Sequence, residues 1–212
     1  PLMVFERDGS FLSSWGEGLF HNPHGIYIGP DDSVWLADNY THVVMKFSPE
    51  GKLLLTLGRR DTPSETYQGK PFNMPTGIAM SAWGEVFVAD GYGNKRVHKF
   101  SPDGELLLSW GEPGTGPGQF NLVHNVAVDS RGRVYVCDRH NNRIQLFDAQ
   151  GKFLAEWPGL RAPSDIYISR EEIAYVSEQG ESEGGIGPDR VSIWSLDGKL
   201  LSSWDTGGEG RG

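Results

Sequence analysis

Four side chains in this chain of 212 residues have the types and the placement for chemistry: His24, Tyr92, His124 and Arg139. Neutral imidazole is the commonest protein ligand for metals such as zinc. His24 lies in NPHGIYI (22–28) and His124 in LVHNVAV (122–128), at one point of a recurring motif. Thr76 in MPTGIAM (74–80) and Ser164 in APSDIYI (162–168) hold that point in the other copies, so histidine recurs in every second copy. Tyr92 sits in DGYGN (90–94), where two flanking glycines predict an exposed ring on a backbone free to take positive φ. An exposed tyrosine beside a metal and an arginine can titrate below its usual ~10 and serve as a base. Arg139 could supply that charge or clamp a carboxylate with its two-pronged guanidinium. Arg96, Arg143 and Arg190 recur four residues before an aromatic and are expected to pair structurally with neighbouring repeats; Arg139 is outside that register.

The elements that must position these residues repeat along the chain. Turn glycines fall at Gly9, Gly51, Gly104, Gly151 and Gly198, in step with Phe5, Phe47, Phe100, Phe147 and Trp194 before them and Trp15, Leu57, Trp110, Trp157 and Trp204 after them. Each unit opens on the motif above, continues through an apolar run such as VWLAD (34–38), VFVAD (86–90) or VYVCD (134–138), and closes with two further short alternating runs. Four short strands in roughly 40–50 residues is the size of a propeller blade. The expected fold is therefore all-β, a single propeller domain over 1–212: a half blade at 1–17, then four complete four-stranded blades at about 20–58, 72–111, 119–157 and 160–205. Four and a half blades leave open edges, so the chain reads as a fragment of a larger ring, most simply of five or six blades.

Strand alternation places the starts of first strands, the loops between second and third strands, and the ends of fourth strands on one end of the ring. His24, His124, Tyr92 and Arg139 all map there, with the long connectors 58–70 and 111–118 and the acidic insertion 177–189. In a six-bladed ring, alternate blades are ~120° apart. Two histidines then imply a third from a further blade, and three imidazoles at an axis make an open zinc site. The alternative is that histidine is a tolerated polar residue in a turn. His21 and His42 read as surface turn residues, His98 as part of an outer strand, and His140 as a solvated loop residue.

Composition limits the partners. The net charge of −9 argues against nucleic acid and anionic membranes. No apolar run approaches the ~18 residues of a membrane span, and 29 glycines with 37% hydrophobic residues describe a soluble, turn-rich chain. The single cysteine, Cys137, fits core packing and leaves the compartment open.

The pattern D-x-x-N-x-R-[IV] in DRHNNRI (138–144), with P-x-G-I before a first strand, resembles the NHL repeat. NPHGI (22–26), VADGYGNKRVHKFSPDGELLLSWGE (88–112), GQFNLVHNVAVD (118–129) and VCDRHNNRIQLF (136–147) more narrowly resemble the catalytic core of peptidyl-α-hydroxyglycine α-amidating lyases and their bacterial relatives. That resemblance implies a six-bladed lyase that cleaves a C–N bond to give a peptide amide and glyoxylate. It implies zinc on His24, His124 and a third histidine outside this chain, Tyr92 as base, Arg139 as an active-site arginine, and a structural calcium on the backbone at Ile26. The position of a cysteine in the animal enzymes is Gly93 here. The competing expectation is a non-catalytic NHL propeller that binds a peptide or protein on the same loop face.

Overall fold

Asp-Gly and related pairs turn the chain tightly because glycine enters positive φ without steric penalty, and they recur between the third and fourth strands of each unit. In a computed structural model that describes residues 1–180 and 187–205, these turns fold the chain into antiparallel meanders. The half blade is β1 (Leu2–Phe5) and β2 (Phe11–Trp15). The first full blade is β3 (Pro23–Ile28), β4 (Val34–Asp38), β5 (Val43–Phe47) and β6 (Leu53–Gly58). The second is β7 (Gly77–Met80), β8 (Val86–Asp90), β9 (Arg96–Phe100) and β10 (Leu106–Trp110). After it, the glycine–proline connector forms a short parallel pair, β11 (Glu112–Pro113) with β12 (Gln119–Phe120), which the sequence reading did not anticipate. The third blade is β13 (Val123–Val128), β14 (Val134–Asp138), β15 (Arg143–Phe147) and β16 (Phe153–Pro158). The fourth is β17 (Pro163–Ile168), β18 (Ile173–Glu178), β19 (Arg190–Ser195) and β20 (Leu200–Asp205). Residues 181–186 of the acidic insertion lie outside the described residues.

The core lies between blades rather than within them. Trp35, Ala37, Val44 and Leu57 of the first blade pack with Ile78, Val86, Val88 and Phe100 of the second. Equivalent clusters join the second blade to the third and the third to the fourth. The repeated markers meet in these seams. The turn glycines Gly51, Gly104, Gly151 and Gly198 lie under the closing residue of the preceding blade: a Cβ on Gly51 would fall 2.5 Å from the Trp15 ring, and one on Gly198 2.5 Å from Trp157. The glycine and the large closing residue (tryptophan, or Leu57 in the first full blade) of successive repeats are therefore a matched pair, which is why they keep step. Trp157 also stacks on Trp194, with ring centroids 5.6 Å apart. Trp204, at the same register in the fourth blade, has no following blade among the described residues and is 50% exposed.

The arginine register is structural, but its partners differ from those expected. Arg143 binds Asp138 and Glu156 of its own blade and three carbonyls of the 115–119 connector. Arg190 pairs with Glu178 of its own blade. Arg96 reaches the Tyr67 carbonyl of a connecting loop. Packing already joins the blades; Arg96 and Arg143 instead tie their blades to a connector, and Arg190 braces its own blade.

Candidate functional site

The first strands β3, β7, β13 and β17 line the axis, and their starts share one end with the loops after β8 and β14. Pairing of Pro23 with Asp38 and of Val43 with Gly58 fixes that end for the first blade, and the same register recurs in the third. An axial opening of about 430 Å³ runs along these strands, lined among others by His24, Ile26, Thr76, His124, Asn125 and Asp165.

His24 and His124 face each other across this opening with ring centroids 5.0 Å apart. The intervening residue of each alternation has a mechanical role. His24 Nδ1 donates to the carbonyl of Thr76 at 2.8 Å, and His124 Nδ1 to the carbonyl of Ser164 at 2.6 Å. A carbonyl can only accept, so Nδ1 carries the hydrogen and each Nε2 presents a lone pair. Both lone pairs aim at one oxygen: the Tyr92 hydroxyl is 3.2 Å from His24 Nε2 and 3.2 Å from His124 Nε2. The phenol has one proton for two acceptors, so one lone pair is left for a cation. Metal-binding histidines are commonly oriented in this way, with the second ring nitrogen held by a carbonyl. Burial, the largest influence, holds the His124 pKa down to about 4; the Arg139, His24 and His140 charges act in the same direction, and the Ser164 hydrogen bond opposes them. The His124 lone pair therefore stays available through the neutral range.

Arg139 opens a 3₁₀ turn, Arg139–Asn141, directly after β14. Its guanidinium carbon is 5.8 Å from the Tyr92 ring centroid, within cation–π range, and it donates to Gln179 at 3.4 Å. Arg139 is 5% exposed, so its charge is poorly screened by solvent. All four chemistry-bearing residues of the sequence reading thus come together.

The reason for the glycines in DGYGN differs from the expected one. Tyr92 is half-buried rather than exposed, packed edge-on against both imidazoles. Neither Gly91 nor Gly93 takes positive φ. They are glycines because the loop passes very close to its neighbours: a Cβ on Gly91 would fall 1.6 Å from the Val123 carbonyl oxygen, and one on Gly93 2.2 Å from the Asn73 side chain. His42 is half-buried and accepts the Met74 N–H at 3.1 Å, so it is more than a surface turn residue. His98 is fully buried, because the third strand of an inner blade is covered on both sides. His21 stacks on Tyr40, and His140 is exposed.

Two imidazoles with an open position fit a zinc donor set in part. Among the described residues no group of three His, Cys, Asp or Glu side chains is gathered for a metal; His24 and His124 are the two imidazoles that meet at the axis. Ile26 lies in β3 beside the cavity and is 60% exposed, and the acidic donors of a calcium site are not gathered around its backbone among the described residues. No helix of the described residues is long and apolar enough to cross a membrane.

Three segments, 20–47, 72–100 and 120–147, match the NHL repeat model. Human NHL repeat-containing protein 3 is 37% identical over 166 residues, covering 74% of this chain and 48% of that protein. Peptidyl-alpha-hydroxyglycine alpha-amidating lyase 1 of Drosophila melanogaster is 36% identical over 162 residues, covering 70% of this chain and 29% of the relative. The mouse peptidyl-glycine alpha-amidating monooxygenase is 38% identical over 159 residues, covering 71% of this chain and 16% of the relative. The chain thus spans about half or less of the curated relatives it matches. Among solved structures, a streptogramin B lyase superposes with a TM-score of 0.70 at 16% identity, over 96% of this chain and 61% of the other. That likeness shows the propeller fold alone.

Proposed function

We propose that this chain, an NHL-repeat β-propeller with sequence similarity to amidating lyases, carries most of a zinc-dependent carbon–nitrogen lyase centre of the peptidyl-α-hydroxyglycine type. The observation that carries the reading is the convergence of two tethered imidazole lone pairs and the Tyr92 hydroxyl on one point beside a buried arginine. His24 and His124 would hold the metal, which when bound supplies Lewis-acid polarisation of a substrate oxygen. A third ligand is expected from outside these residues. The Tyr92 oxygen is placed to take the proton of the substrate hydroxyl. The oxygen's electron pair would then form the carbonyl of glyoxylate, the C–N pair would go to nitrogen, and return of the proton from Tyr92 to that nitrogen would complete the amide and restore the base. Arg139 offsets negative charge on the phenolic oxygen or on a substrate carboxylate. A structural calcium on the Ile26 carbonyl would need oxygen donors beyond those the described residues gather.

The test is metal analysis of the protein containing this chain, followed by turnover of a synthetic α-hydroxyglycine peptide. Stoichiometric zinc, lost in His24→Ala and His124→Ala, with turnover abolished in Tyr92→Phe, is expected. No metal at any pH sinks the reading. The similarity to NHL repeat-containing protein 3 favours a second reading, a peptide- or protein-binding propeller without catalysis. It predicts saturable binding that is insensitive to chelators and is lost when the 58–71 connector is shortened.

A further inference from the structure

The loop that carries Tyr92 is one residue longer than its counterparts: Asp90 to Phe100 spans ten positions, where Asp38 to Phe47 and Asp138 to Phe147 span nine. Its anchoring also lacks the arginine found on the carboxylate in the later blades. Every second strand ends on a buried carboxylate, Asp38, Asp90, Asp138 or Glu178. In the third and fourth blades the register arginine, Arg143 or Arg190, pairs with it, and Gln145 or Ser192, two residues further on, adds a hydrogen bond. In the first blade those positions are Val43 and Met45, and Asp38 is satisfied by the N–H groups of His21, Asn22 and Thr41.

The second blade lacks only the arginine: a loop asparagine, a third-strand polar side chain and a connector N–H reach its carboxylate, as Asn141, Gln145 and the Asn121 N–H reach Asp138 in the third blade. Arg96 is turned away to the Tyr67 carbonyl, and Asp90 is held by His98 Nε2 at 3.0 Å, Asn94 Nδ2 at 2.8 Å and the Asn73 N–H at 2.9 Å. Asn94 extends the network outward. Its side-chain oxygen accepts the Tyr67 N–H at 2.7 Å, and its amide donates to the Lys70 carbonyl at 3.1 Å. Gly93 N–H donates to the Asn73 carbonyl at 3.0 Å. Tyr92 is therefore suspended between two fixed points, Asp90 and Asn94. The single hydrogen bond of His98 is to Asp90, and its Nδ1 has no partner among the described residues. Packing alone is met at this register by Met45, so a buried polar ring here bears a desolvation cost that its bond to Asp90 must offset.

We infer that Asp90, Asn94 and His98 form a positioning clamp that sets the Tyr92 hydroxyl between His24 and His124. The clamp rests on the reading of Tyr92 as a working group of the proposed centre, but its test does not depend on turnover. The protein is labelled with 3-fluorotyrosine, and the ¹⁹F line missing from Tyr92→Phe is assigned to residue 92. His98→Met copies the first blade and cuts the bond to Asp90; His98→Gln copies the third blade and can restore it. The expected result is a Tyr92 line shifted and broadened in His98→Met and returned in His98→Gln, with zinc content equal in both. Turnover, where present, should fall about 10²-fold in His98→Met, as for an active-site displacement of about 1 Å. A Tyr92 line unmoved in His98→Met, with only a lowered melting temperature, overturns the clamp. If His98→Met does not fold, Asn94→Ala cuts the clamp from the loop side and is read in the same way. Absence of zinc and turnover from the unsubstituted protein would defeat the lyase reading and leave the ¹⁹F comparison valid.

Discussion

Replacing Gly91 by alanine probes the site with one carbon atom. An ideal Cβ there lies 1.6 Å from the Val123 carbonyl oxygen and 2.5 Å from its carbon, where real Cβ contacts do not fall below 3.0 Å. The two backbones must therefore separate by at least 1.4 Å (3.0 − 1.6). Gly91 precedes Tyr92 and Val123 precedes His124, so the displacement falls on the contact between Tyr92 and His124. Carried rigidly, the 3.2 Å separation opens to about 4.6 Å, beyond hydrogen-bond reach. Forcing an extra carbon into a packed seam destabilises by about 1–3 kcal/mol. At roughly 2–4 °C per kcal/mol for a chain of this size, the melting temperature should drop by about 2–12 °C. Gly91 does not use positive φ, so alanine also restricts the unfolded chain and would stabilise by about 0.4–1 kcal/mol if the clash were absent. Urea melts followed by tryptophan fluorescence, with the Tyr92 ¹⁹F line as the local probe, measure both effects. A Gly91→Ala protein at least as stable as its parent, with the Tyr92 line unmoved, refutes the close-approach argument.

Three further outcomes are expected. Arg143→Met leaves the fully buried Asp138 without its ionic partner and should cost about 3–5 kcal/mol in urea melts, although Val43 at the same register in the first blade is tolerated because Asp38 is capped by backbone. The His124 pKa is about 4 in the folded chain against 6.5 for the free side chain, so below pH 6.5 the unfolded state takes up a proton that the folded state refuses. Metal-free protein should therefore lose up to about 3 kcal/mol between pH 6.5 and 4, and His124→Gln should remove that part of the slope in urea melts at successive pH values. Gly25→Ala places a Cβ 2.4 Å from the Thr76 carbonyl that holds His24 and should weaken zinc binding about 10–100-fold, read by competition with a chromophoric chelator.

The blade, and the end of the ring that carries His24, Tyr92, His124 and Arg139, are legible in the residues and their spacing. Blade identity resides in local signals: Asp-Gly and related turns, period-two strands, and the glycine and large apolar residue that return in each repeat. Strand alternation then places His24, Tyr92, His124 and Arg139 on one face without any knowledge of contacts. Tertiary structure alone decided how those residues are held. The histidines are oriented by main-chain carbonyls of Thr76 and Ser164, and every residue has a carbonyl, so no residue type advertises that role. Gly91 and Gly93 looked like residues chosen for backbone freedom, because glycine signals a missing side chain and not the neighbour that requires it to be missing; their reason is the approach of Val123 and Asn73. His98 looked like one more residue of an outer strand, because burial at that register comes from adjacent blades distant in sequence. The ten-residue span from Asp90 to Phe100 is visible as an irregularity of the repeat, but that Asp90 is held by His98 and Asn94 without the arginine that joins Gln145 and Asn141 on Asp138 appears only where those side chains meet in space.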